Sequence, residues 1–187
     1  MAKKKTSAMI AQPGTPADGY TLNVEYDPEN GDAFEAKAIF NDGTVKNFGS
    51  GDTTVVDAII DGSVKTVVSN AKTVRRYAFY FVDGIEKFIL NEVETLDSYS
   101  LYGTNAKIYM PKIKKITSAA IGAYGRTKFY LPSTISYITS GTFTSGAQIT
   151  DIYCDFAQGA VAGAPWGATG ATVHYNVPYP ASIDEME

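Results

Sequence analysis

The fold is decided by two stretches that answer each other: KIYMPKIKKITSAAI at residues 107–121 and KFYLPSTISYITSGTF at residues 128–143. Each begins with a short alternating run that ends on a proline, Pro111 or Pro132. Each continues to an apolar position, Ile116 or Ile138. Four residues further comes a small residue, Ala120 or Thr142, and next to it a large apolar one, Ile121 or Phe143. Working outward, the same columns return in the flanking sequence. The opening positions are Val74, Leu96, Ile116 and Ile138, spaced 22, 20 and 22 residues apart. The small column is Ala78, Ser100, Ala120 and Thr142, followed by Phe79, Leu101, Ile121 and Phe143. The strands are Lys87-Phe88-Ile89-Leu90, Lys107-Ile108-Tyr109-Met110, Lys128-Phe129-Tyr130-Leu131 and Asp151-Ile152-Tyr153-Cys154.

A period of 20–23 residues has a physical meaning. One such unit cannot bury its own apolar face, so units stack and bury a shared core. The apolar columns fill that core, the small column allows close approach of neighbouring coils, and the strands align into a parallel ladder. Composition agrees. The chain of 187 residues holds 28 Ile and Val and 19 Thr but only 5 Leu. Residues stiff at χ1 suit strands better than helices. The expected fold is therefore mainly β: a short leucine-rich-repeat solenoid with little helix, preceded by a small antiparallel β unit.

That preceding unit is read from alternation. Tyr20, Leu22, Val24 and Tyr26 share one face of a strand, and Phe34, Ala36, Ala38 and Phe40 share one face of the next. Asn41-Asp42-Gly43 reads as a hairpin turn leading to a third strand at Thr44 to Phe48. The expected division is a flexible arm at 1–19, the β unit at 20–50, the solenoid at 51–177 with a cap from about 157, and an acidic tail at 178–187. Asp52 is placed to cap a short helix through Ile60, and Val64 to Val68 reads as a strand.

These columns resemble the BspA-type leucine-rich repeat, whose units run approximately Ile-x-x-Ile-x-x-x-Ala-Phe and later Leu-x-x-Ile-x-Leu-Pro. Tyr77-Ala78-Phe79, Met110-Pro111 and Leu131-Pro132 carry the likeness. The segment 57–64 is similar to the opening of such arrays in phage-encoded proteins. Gly163-Ala164-Pro165-Trp166-Gly167-Ala168-Thr169 is similar to their closing cap. The family's Cys-x-x-Leu step is missing, and Gly84, Thr104, Gly125 and Gly146 occupy the turn regions. The resemblance implies interaction rather than catalysis: a structural or adhesive protein, here a phage virion component such as a decoration, tail or fibre-associated protein. Its implied partners are other virion proteins or a host-surface protein or glycan, with the chain oligomeric in an assembly. A bacterial cell-surface adhesin and a glycan-active enzyme are the alternatives.

Charge and termini bear on the same choice. Net charge is −4, which disfavours nucleic-acid binding, since that needs a strongly basic surface. The basic start Met1-Ala2-Lys3-Lys4-Lys5 is not followed by the apolar stretch of a secretion signal, and no apolar run reaches the roughly 18 residues of a membrane span. The expected location is accordingly the virion, assembled in the host cytoplasm without membrane insertion.

Few residues invite chemistry. A lone His174 and a lone Cys154 are a poor basis for zinc, and no phosphate-binding glycine loop is present, so no cofactor or metal and no catalytic residue is expected. His174 alternates with Val173 and Tyr175 and is expected to face solvent, while Cys154 falls in the inward column. The sharper signal lies on the strand ladder. If Phe88, Ile108, Phe129 and Ile152 point inward, then Ile89, Tyr109, Tyr130 and Tyr153 point outward, beside Lys87, Lys107, Lys128 and Asp151. Tyr109, Tyr130, Tyr153, Lys87, Lys107 and Lys128 are the candidate partner-binding stripe, because tyrosine offers rigid amphipathic area and a hydroxyl. Trp166, with Pro165, is expected to plug the open end of the solenoid.

Overall fold

The structure is a computed structural model. It describes residues 65–80, 84–122, 125–143 and 148–186 in full, and the backbone alone of Val64 and of three upstream strands. Those strands are β1 (Tyr20–Tyr26), β2 (Ala33–Phe40) and β3 (Val45–Phe48). The expected arm, the turns at 27–32 and 41–43, the short helix after Asp52 and the turn at Gly146 lie outside the described residues.

From Val64 onward the chain winds into a parallel β-solenoid of about five turns with almost no helix. The long strand of each turn is β4 (Val64–Ser69), β6 (Lys87–Ile89), β8 (Lys107–Tyr109), β10 (Lys128–Leu131) and β12 (Asp151–Cys154). Alternation works as anticipated: Phe88, Ile108, Phe129 and Ile152 are buried, while Ile89, Tyr109, Tyr130 and Tyr153 are half-exposed. Equivalent residues stand in register, Lys87 beside Lys107, Phe88 beside Ile108 and Ile89 beside Tyr109. The expected capping segment contributes a further rung, β13 (Thr172–Tyr175), parallel to β12.

A second ladder arises where the sequence showed only single apolar positions. Val74, Leu96, Ile116 and Ile138 are the inward residues of two-residue strands: β5 (Thr73–Val74), β7 (Thr95–Leu96), β9 (Lys115–Ile116) and β11 (Tyr137–Ile138). These pair in parallel in one continuous sheet. Two-residue strands leave no period to read, which is why they stay hidden in the sequence.

Each second-ladder strand runs into a tight turn that delivers the small column. Ala78, Ser100, Ala120 and Thr142 donate their N–H to Arg75, Asp97, Thr117 and Thr139 O at 3.0–3.2 Å. Tyr77, Tyr99 and Ala119, one residue before the small residue, sit at φ of 62°, 62° and 54°. A positive φ at the third position is the type II turn geometry, uncommon for residues other than glycine. Past the turn, Phe79 N–H donates to Ser100 O at 2.8 Å and Leu101 N–H to Ala120 O at 2.9 Å, which is the close approach that small side chains permit.

The core is one continuous cluster in which Phe88, Leu90, Leu96, Leu101, Met110, Ile116, Ile121, Leu131, Phe143, Ile152 and Cys154 are fully or almost fully buried. Trp166 closes it. The side chain is buried, its ring nitrogen donates to Ala162 O at 2.7 Å, and its carbonyl accepts Phe143 N–H at 3.0 Å. Pro165, just before it, is joined to Ala164 by a cis peptide bond. Beyond β13, residues 177–186 do not run free as an acidic tail. They lie back across the first ladder, ending in a single 3₁₀ turn at Ile183–Glu185.

Candidate functional site

The expected Tyr/Lys stripe exists in register but is split in two. The first ladder is interrupted between β8 and β10: β4, β6 and β8 belong to one sheet, and β10, β12 and β13 to another. Lys87, Lys107 and Tyr109 stand on one side of the break, and Lys128, Tyr130 and Tyr153 on the other.

The first half is covered by the C-terminal segment. Lys87 Nζ pairs with Asp184 at 2.6 Å, Lys107 Nζ donates to Met186 O, and Tyr109 OH donates to Ala181 O at 2.9 Å. The Tyr179 ring packs on Tyr109 with centroids 5.6 Å apart, and its hydroxyl accepts Met110 N–H at 2.9 Å. Burial pushes the Tyr179 phenol upward, so it stays a neutral hydroxyl.

The second half remains open and is extended by a residue that sequence reasoning gave to solvent. Tyr130 stacks on Tyr153 at 5.0 Å, and Tyr153 stacks on His174 at 4.7 Å. His174 does face outward, but its Nε2 also lies 2.7 Å from an Asp151 carboxylate oxygen. The hydrogen bond with His174 is the largest influence holding the Asp151 carboxyl below the usual range, aided by Thr150 Oγ1. The inward neighbour Cys154 is buried among apolar side chains, which pushes its thiol up to about 12 and removes thiolate nucleophilicity at neutral pH.

A larger aromatic surface lies on the second-ladder turns. Tyr77 and Tyr80 of one coil meet Tyr99 and Tyr102 of the next. Tyr77 stacks on Tyr99 at 5.3 Å and Tyr80 on Tyr102 at 5.6 Å, while Tyr77 meets Tyr80 edge-on at 5.3 Å. The Arg76 guanidinium lies 4.8 Å from the Tyr77 ring centre. Tyr77 is 47% exposed and Tyr80 40%, so this terrace presents ring area to solvent. Two columns build it, three and six residues after the openings Val74 and Leu96. The next coil carries Ala119 and Gly122 at those positions. A Cβ on Gly122 would lie 2.5 Å from the Tyr102 ring, so the missing side chain is what lets that ring settle. The signal was present in the repeat columns, at turn positions where tyrosine is easily passed over.

A charge ladder flanks β5, β7 and β9. Glu92 accepts from Lys72 at 3.0 Å and from Lys112, and Glu94 pairs with Lys114 at 2.7 Å and Lys72 at 3.7 Å. Lys112 holds the Glu92 carboxyl below its usual range, and Lys114 does the same to Glu94. These pairs join three coils. Among the described residues, no group of three His, Cys, Asp or Glu side chains gathers as a metal site would need, and no helix is long and apolar enough to cross a membrane. Compared with protein-family models, with curated proteins and with solved structures, the chain matches none of them.

Proposed function

We propose that the chain is a non-catalytic attachment or recognition module, built as a BspA-type leucine-rich-repeat solenoid and carried as a structural or adhesive component of a phage virion. The observation that carries the reading is the tyrosine terrace. Four rings from two coils, with Arg76 beside them, present exposed aromatic area fixed by turns at positive φ. Tyrosine on a rigid scaffold gives large contact area at low entropic cost, the chemistry by which a protein or glycan surface is gripped. Tyr130, Tyr153 and His174 supply a second aromatic strip on the ladder face. The partner is another virion protein or a host-surface protein or glycan.

The upstream strands complete the proposal as a small antiparallel unit at the first coil. Its support is the register Tyr20 with Phe40 and Ala36 with Phe48, and β1 lying parallel to β4. Mass spectrometry of purified phage particles should find this chain, and its absence from them would defeat the virion reading. Tyr77→Ala with Tyr80→Ala lowers adsorption of the particle or binding of the isolated chain at least tenfold with an unchanged far-UV circular dichroism spectrum. Tyr137→Ala, at a tyrosine outside the terrace that is 51% exposed with Lys115 Nζ 5.8 Å from its ring centre, is the control. Equal loss in the control, or no loss in the double variant, removes the terrace from recognition.

A further inference from the structure

The first ladder is broken at one coil boundary only, and both ends of the break are closed by side chains. At the preceding boundaries the carbonyls one residue upstream of the paired positions Thr66 and Lys87 take amides of the next coil: Lys65 O takes Glu86 N–H and Glu86 O takes Lys107 N–H, at 2.8 and 2.9 Å. The equivalent carbonyl before β8, Ala106 O, accepts Arg126 Nη2 instead. At the far end, Leu90 N–H reaches Tyr109 O at 2.8 Å, whereas the equivalent Met110 N–H goes to the Tyr179 hydroxyl. On the opposite face of the same coils, β9 and β11 pair normally. The opening is therefore a local splay of one face, held by Arg126 at one end and Tyr179 at the other.

The splay leaves a half-open cavity of about 220 Å³, lined by Lys107, Ile108, Arg126, Lys128, Phe129 and Met186 among others. Every charged residue of that lining is a cation. Arg126 is only 9% exposed, and its guanidinium carbon lies 5.7 Å from the Phe129 ring centre. Its Nη1 is buried and has no hydrogen-bond partner among the described residues. Lys107 donates to a neutral carbonyl, Met186 O, and its field also reaches the Asp184 carboxylate that pairs with Lys87. Burial lowers the Arg126 pKa to about 10, which still leaves it charged at neutral pH. A buried guanidinium with an unused donor, facing further cations, is costly unless an anion joins it.

The geometry points to a binding site for a small oxyanion, a carboxylate or phosphate group, in the break between β8 and β10, with Arg126 Nη1 as its buried donor. One N–H face of the guanidinium is committed to Ala106 O, so the anion is gripped from the Nη1 side, with the ammonium groups of the lining adding long-range attraction. Two sources carry this chemistry: a free anion, and the side-chain carboxylate of Glu187, which follows Met186 in the chain. The site does not depend on the recognition role proposed above.

Inorganic phosphate titrated into the full chain at constant ionic strength tests it, read by the guanidinium N–H resonances of Arg126 and by the melting temperature. A saturable shift of those resonances with a rise in melting temperature is expected. If Glu187 fills the site, the same response emerges, or strengthens at least tenfold in affinity, in Glu187→Gln. Arg126→Gln weakens phosphate binding at least tenfold. The Arg126 resonances of the unaltered chain keep the test decisive should that variant fail to fold. No saturable shift in either the full chain or Glu187→Gln overturns the site, and so does undiminished binding in a folded Arg126→Gln.

Discussion

Glycines mark two places where a single atom decides the local structure. Gly167 sits at φ 99° between Trp166 and Ala168, and a Cβ there would stand 2.2 Å from Phe143 O, the carbonyl of a core residue. Neither the backbone nor that carbonyl can yield cheaply, because Phe143 N–H is bound to Trp166 O at 3.0 Å. Gly167→Ala therefore combines backbone strain with overpacking and lowers stability by about 3 kcal/mol. Urea unfolding should show a lower midpoint at unchanged slope. Gly122 is a different case. The atoms that a Cβ would meet belong to the Tyr102 ring, part of a partly exposed side chain that can swing away. Gly122→Ala is expected to cost about 1 kcal/mol, a small overpacking penalty. It should also break the Tyr80–Tyr102 stack, seen as an altered near-UV circular dichroism spectrum, and weaken binding through the terrace. Fold and surface thus separate at two glycines that look alike in the sequence.

At the scale of elements, the C-terminal segment acts as a strap whose anchors differ in kind. Tyr179 OH accepts a backbone N–H that would otherwise be an orphan at the ladder break, whereas Tyr109 OH donates to the exposed end of the strap at Ala181 O. Leaving a buried donor unmet costs about 1–3 kcal/mol, so Tyr179→Phe should lower stability by about 2 kcal/mol. Tyr109→Phe, whose lost partner is solvated, should cost about 0.5 kcal/mol. Thermal unfolding of the two variants side by side checks the order, and equal losses would refute it. The strap also shows where sequence reading stops. The three- and four-residue strands were legible because Lys-Phe-Ile, Lys-Ile-Tyr and Lys-Phe-Tyr-Leu alternate and recur. The strap is held by hydroxyl, ammonium and carbonyl contacts to residues 69–97 positions away, which leave no periodic trace. The stripe was half-legible for the same reason. Tyr109 and Tyr130 share a face as alternation required, yet Arg126, next to the turn residue Gly125, and Tyr179, from the far end of the chain, take the backbone groups at the break between their strands. The tyrosine terrace was encoded in the repeat columns, but as turn residues at positive φ rather than as strand positions.

For the molecule as a whole, the coils of a solenoid meet only their neighbours, so stability is approximately a sum over coil boundaries, to which the strap adds one long-range interface. Carboxylates with lowered pKa values are spread along those boundaries. Glu92 and Glu94 tie the coils of β5, β7 and β9 through Lys72, Lys112 and Lys114, Asp151 ties β12 to β13 through His174, and Asp184 ties the strap to Lys87. Each of these four carboxyls has its pKa lowered by its hydrogen-bonded partner. A carboxyl whose folded pKa lies below its unfolded value contributes stability that is fully present above the unfolded value and is lost as pH falls through the folded one. The unfolded values are near 4, so stability should be flat from neutral pH to about pH 5 and should fall steadily below about pH 4. Because the pairs are solvent-exposed and screened, added salt should lower the neutral plateau slightly toward the acid end and so flatten the acid limb. Removing one boundary's charges with Glu92→Gln and Glu94→Gln should soften the limb without moving its onset, since Asp151 and Asp184 still titrate. Urea unfolding from pH 2 to 7 at two salt concentrations measures this. A limb that begins at pH 6, or that salt does not touch, would place the acid sensitivity in a buried group instead of along the coil boundaries.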